Sequence, residues 1–141
     1  MITIKRHVWM LALLMALAPV LGGCSAVKKE VGLAGSTPAA RYYQFEDILI
    51  PGELKMDEKR SFVQDASGFK AGTLYLSGYV DVDSLVAFFS DAMLKDGWQL
   101  KSSFRYPNTM YLFEKPKKVC IVITEEGVLN TRVEVWVSPL L

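Results

Sequence analysis

Beyond residue 60 the chain holds one stretch of helical period, and the stretches around it repeat every two residues. Asp81 is a good N-cap, with Val80 before it and Leu85 at the fourth helical position to form a hydrophobic staple. Asp83 lies in the first turn, where negative charge suits the helix dipole. Leu85, Phe88 or Phe89, Ala92 and Met93 make an apolar stripe at helical spacing, and Gly97 follows Asp96 as a stop signal. The pattern predicts a helix over 82–96.

Two strands are expected before this helix, at Ser61–Gln64 and Gly72–Val80. In the second, Leu74, Leu76 and Val80 share one side, and Tyr75 and Tyr79 the other. After the helix, Trp98, Leu100, Ser102 and Phe104 alternate with Gln99, Lys101, Ser103 and Arg105. Strands at Thr109–Glu114, Val119–Thr124 and Thr131–Val137 follow, separated by Pro107-Asn108, Pro116-Lys117 and Glu126-Gly127. Loops this short imply antiparallel hairpins. The stretch 45–54 (FEDILIPGEL) reads as a further edge strand ended by Pro51-Gly52. The expected fold is α+β, in the order β-β-α-β-β-β-β: an antiparallel sheet of about five to six strands with one amphipathic helix on one face.

The front of the chain is of another kind. Lys5 and Arg6 precede an apolar run from Val8 to Leu21. Its 14 residues fall short of the roughly 20 that a helix needs to cross a bilayer core. A positive start, a short apolar core and small residues at its end read as a signal peptide. Leu21-Gly22-Gly23-Cys24 resembles the lipobox of bacterial lipoproteins. The resemblance implies removal of residues 1–23, a diacylglyceryl thioether on Cys24 and a further acyl chain on its new amino group. One buried chain anchors only marginally at about 0.8 kcal/mol per methylene, whereas two or three hold firmly. Ser25, where Asp would favour the inner membrane, implies by the same resemblance the outer membrane. Residues 24–41, small and punctuated by Gly and Pro, read as the lipidated cysteine and a flexible tether of reach roughly 20–25 Å. Residues 42–141 are then the single folded domain. Within it, 88–98 (FFSDAMLKDGW) followed by 111–124 (YLFEKPKKVCIVIT) resembles small bacterial envelope lipoproteins, which implies a fold and a compartment but no activity.

Composition excludes more than it assigns. Loss of residues 1–23 takes away Lys5 and Arg6 and no acid, leaving 14 basic residues against 15 acidic ones. That balance lacks the dense basic footprint of a nucleic-acid binder. The one histidine, His7, lies in the leader, so the chain from Cys24 onward has none. Ser–His and Cys–His nucleophiles, histidine acid–base catalysis and the usual zinc sites are thereby removed. With Cys24 lipidated, Cys120 is left alone between Val119 and Ile121, and reads as a small buried hydrophobe. Ser67-Gly68-Phe69-Lys70 matches the serine–lysine pattern of penicillin-binding enzymes, but it sits in a turn and its companion motifs are missing. Asp81 and Asp83 are explained as cap and dipole partner rather than cation ligands. No catalytic residue, metal or cofactor is expected beyond the covalent lipid on Cys24.

The candidate binding surface is Tyr75, Tyr79, Tyr111, Lys115, Lys117 and Lys118. The lysines flank Pro116. They fit either a polar hairpin that discourages edge pairing or a contact with lipid phosphates, lipopolysaccharide or cell-wall polymer. The tyrosines need a cover, which segment 42–50 supplies; otherwise they form an exposed aromatic face for a protein or glycan. The functional expectation is a membrane-anchored, non-catalytic binding or scaffolding module facing the periplasm, with an envelope protein as partner. The alternative is a binder of a small hydrophobic or glycan ligand between helix and sheet. A hydrolase ranks last.

Overall fold

A computed structural model describes residues 38–66 and 68–140. Leu21, Gly22, Gly23, Cys24, most of the tether and Ser67 lie outside the described residues.

The fold is α+β: one helix against a large antiparallel sheet. Three two-residue strands come first: β1 (Arg41–Tyr42), β2 (Leu49–Ile50) and β3 (Lys55–Met56). Then follow β4 (Phe62–Ala66), β5 (Phe69–Gly78), α1 (Val82–Lys95), β6 (Gln99–Arg105), β7 (Thr109–Lys115), β8 (Lys118–Glu126) and β9 (Thr131–Pro139). From β4 onward this is the order read from the periodicities. The seven-stranded sheet runs β3-β5-β9-β8-β7-β6, and β4 pairs with β5 beside β3. Every pairing is antiparallel. Helix α1 carries the chain from β5, one place in from the β3/β4 edge, to β6 at the opposite edge, and the β6–β9 meander brings it back until β9 pairs with β5. That closure matches apolar positions, setting Leu74 opposite Val135 and Leu76 opposite Val133.

The helix begins and ends as its flanking residues dictate. The Asp81 carboxylate accepts from the backbone N–H groups of Asp83 and Ser84, both at 2.9 Å. At the other end Gly97 has φ 83°, Trp98 N–H donates to the Met93 carbonyl, and Gly97 N–H donates to that of Leu94. These two bonds satisfy carbonyls that the last turn would otherwise leave free. Leu85, Phe89, Ala92 and Met93 are buried against the sheet. They meet Leu74 and Leu76 of β5, Val133, Val135 and Val137 of β9, Cys120 and Val122 of β8, and Tyr111 and Phe113 of β7.

Two expectations about strands change. Segment 45–54 does not form one edge strand. Within it only Leu49–Ile50 is strand, pairing as β2 with β1 in a separate two-stranded sheet; the chain turns at Pro51 and joins the main sheet just past the segment, at β3. Strand β6 does not keep strict alternation either. A bulge between Leu100 and Ser102 puts Leu100 opposite the buried Phe113, but Phe104 opposite Met110 on the other face. One extra residue reverses every later side chain in a strand.

Candidate functional site: the two faces of the sheet

Residues 43–50 form a strap on the helix side. Phe45, Ile48 and Ile50 belong to the core. The strap is locked around the buried Trp98, whose indole N–H donates to the Asp47 carbonyl at 2.8 Å. Lys115 and Lys118 both donate to one oxygen of the Asp47 carboxylate, at 2.6 and 2.5 Å. Their ammonium groups stand 4.9 and 5.0 Å from the centre of the Trp98 ring. Burial would raise the Asp47 carboxyl, but hydrogen bonds and charge from the two lysines outweigh it and hold the group below its ordinary value. Tyr42 adds a hydroxyl bond to Asp96 at the helix end.

This geometry corrects part of the expected binding surface. Lys115 and Lys118 are half-buried and committed to Asp47. Of the three lysines flanking Pro116, only Lys117 is exposed, at the turn with φ 71°. Tyr111 is not a surface residue: it faces α1, is buried and stacks on Phe113 at 6.1 Å. Tyr75 does point away from Leu74 and Leu76, but the strap does not cover it. Arg60 does, with its guanidinium 4.2 Å from the ring centre. Arg60 is placed by an Asp57 turn, in which the carboxylate accepts from the Lys59 and Arg60 N–H groups. Tyr79 lies past the end of β5 and is 87% exposed, so the two tyrosines do not form one aromatic face.

The face turned away from α1 is apolar for another reason. Strands β7 and β8 carry apolar side chains at both parities. While Tyr111, Phe113, Cys120 and Val122 face the helix, Met110, Leu112, Ile121 and Ile123 face the other way. Register sets them in two rows across the strands. One runs Phe62, Thr73, Trp136, Ile121, Leu112; the other runs Tyr75, Glu134, Ile123, Met110, Phe104. Phe62 and Phe104 are each 62% exposed and Trp136 is 44% exposed. Toward one end of the strands the band is bordered by Glu125 and Arg132, joined at 2.7 and 3.1 Å, and Glu134 accepts from the Trp136 indole at 3.0 Å. The signal for this surface was in the sequence: runs such as TMYLF and VCIVIT, apolar at consecutive positions, describe strands with apolar side chains on both faces.

The other candidates fall into structural roles. Cys120 is fully buried on the helix side, and burial pushes its thiol far above the ordinary value, so it is a packing residue. Gly68, Phe69 and Lys70 of the serine–lysine pattern lie in the β4–β5 turn and the first residues of β5. The Asp81 carboxylate is occupied as the cap, and Asp83 pairs with Arg105 at 3.4 Å. Among the described residues no group of three or more His, Cys, Asp or Glu side chains gathers to hold a metal ion. Of Phe88, Phe89, Leu74 and Leu100, the side chains a ligand between helix and sheet would meet, Leu74 and Phe89 are packed into the core, Phe88 is half-buried and Leu100 is 45% exposed at the edge. Comparison of the chain with protein-family models, with curated proteins and with solved structures returned no match.

Proposed function

We propose that this chain is a lipoprotein of the bacterial cell envelope, tied to the outer membrane by acyl chains on Cys24, and that it acts as a non-catalytic binding or scaffolding module. Its contact surface is the open face of the sheet. One observation carries the binding reading: the band through Trp136, Ile121 and Leu112 stays apolar on the side that neither helix nor strap covers. A contiguous apolar patch of this kind on a folded domain marks an interaction site. The anchoring reading is supported by Leu21-Gly22-Gly23-Cys24, and the non-catalytic reading by the lack of any histidine after His7.

Intact-mass measurement on the membrane fraction tests the anchor. Residues 1–23 should be gone and a lipid adduct present on Cys24, and a Cys24→Ala chain should accumulate uncleaved. A soluble chain that keeps its leader, or a Cys24 without lipid, would overturn the proposed address. For the surface, a photo-crosslinking residue replacing Ile121 should give adducts in native membranes, while the same residue replacing Ala87 on the helix exterior should give none. Equal labelling at both positions would remove the open face as the contact.

A further inference from the structure

We infer that the occupant of the open face is a second copy of this chain, packed sheet on sheet about a two-fold axis that runs between β8 and β9. The inference rests on the reading of that face as a contact surface and names what covers it.

Size is the first argument. Six strand columns at about 4.8 Å by about 20 Å of strand give roughly 600 Å² in projection, before side-chain relief is added. A stable pair needs about 800 Å² per partner, so an occupant must cover the whole face. A single helix, about 10 Å across, covers less than half of it. Another sheet, lying about 10 Å away with its strands nearly aligned, covers all of it.

Register is the second argument. Between β3 and β4 at one edge and β6 at the other, the centre of the sheet falls between β9 and β8. The facing pairs along that seam are unlike: Trp136 stands opposite Ile121, Glu134 opposite Ile123, and Arg132 opposite Glu125. A half-turn about an axis along the seam exchanges the two columns. Trp136 then lies over Ile121 of the other copy, and Arg132 over its Glu125. Aromatic meets aliphatic, base meets acid, and the intramolecular Arg132–Glu125 pair becomes one half of a four-charge cluster. Such a self-complementary patch is what a two-fold interface requires. Glu134 comes to lie over Ile123 of the other copy, where its carboxylate stays within the field of Arg132 and keeps its bond from Trp136.

The experiment uses the full lipidated chain in detergent, with micelles in excess over protein, and reads mass by sedimentation. The expected species is a dimer. Ile121→Glu should convert it to a monomer that melts where the parent chain does once diluted to its monomer, and Leu94→Glu, on the exposed side of α1, should leave it dimeric. If Ile121→Glu melts below the diluted parent, Trp136→Ser replaces it as the test variant. A monomeric parent chain at tens of micromolar overturns the inference, as does a dimer that folded variants at 121 and 136 leave intact. Photo-crosslinking from position 121 separates the two readings. An adduct of twice the chain mass supports a second copy. An adduct with a different protein, on a monomeric chain, sinks the dimer and leaves the docking surface standing. No adduct sinks both.

Discussion

Strands β7 and β8 show the two faces of this sheet one residue apart. Val122 and Phe113 are fully buried beneath α1, while Ile121 and Leu112 next to them face outward and are partly exposed. Among the described residues the covered face is apolar throughout its centre except for Thr124 and Thr131, whose hydroxyls donate to the carbonyls of Thr109 and Val80. The open face mixes its apolar band with Glu134 and the Glu125–Arg132 pair. Both faces are apolar enough to be buried, yet α1 and the strap serve only one. Surplus apolar surface on a strand therefore points to a contact outside the fold, and apolar side chains on the two faces should differ sharply in what they contribute to stability.

Truncation at neighbouring positions gives the largest contrast. Phe113→Ala should cost about 4 kcal/mol, because it removes a buried ring and the stacking partner of Tyr111. Leu112→Ala, measured at a protein concentration low enough to keep the chain monomeric, should cost about 1 kcal/mol. Urea unfolding of both variants checks this. Equal losses would mean that the open face is covered within the monomer.

Ion pairs on the two sides supply the next contrast. Asp47→Ala should destabilise by about 2 kcal/mol, since it leaves Lys115 and Lys118 side by side, half-buried and without their shared partner. The pH dependence has a definite sign. The folded Asp47 carboxyl is held below its unfolded value of about 3.9, so its stabilisation is present above that pH and is lost as pH falls through the folded value. The gap between the parent and Asp47→Ala should accordingly be full at pH 7 and shrink below about pH 4. On the open side Arg132→Ala should leave the urea midpoint of the monomer unchanged, because its pair with Glu125 is exposed to water. A large loss there would show that this pair is structural.

Local chemistry made most of the fold legible. The Asp81 cap, the Val80–Leu85 staple and Gly97 bracket α1 to within a residue, and turn residues separate the meander strands. Contacts between distant segments were not legible. Trp98 and Asp47 lie 51 residues apart, and the two lysines lie 68 and 71 residues from that carboxylate, with no periodic pattern linking them. The facing of Tyr111 was obscured because both of its neighbours, Met110 and Leu112, are also apolar, so period two selects no side. The β6 bulge leaves alternation intact in the sequence while reversing it in space. The helix and the strand order thus follow from residue type and turn chemistry, and the apolar runs mark strands with two apolar faces, whereas the rows that line up across the open face had to be read from the register.

Two left-handed backbone positions give the last contrast, and they should differ in sign. Gly97, with φ 83°, turns the chain off α1 toward Trp98, and a Cβ there would come no nearer than 3.7 Å to Lys115. With space available, Gly97→Ala should cost about 1 kcal/mol from the backbone conformation alone. Lys117, with φ 71°, occupies the second position of the Pro116-Lys117 turn, where a type II turn favours glycine. Lys117→Gly should relieve about 1 kcal/mol of backbone strain in the folded chain and give back about half of that through the freer unfolded chain. Its exposed ammonium has no partner in the Asp47 cluster, so little else is lost. Thermal melts should move down for the first variant and slightly up for the second. A fall for Lys117→Gly would mean that this side chain holds the β7–β8 hairpin to the strap, and that the covered side extends past Asp47 to the turn.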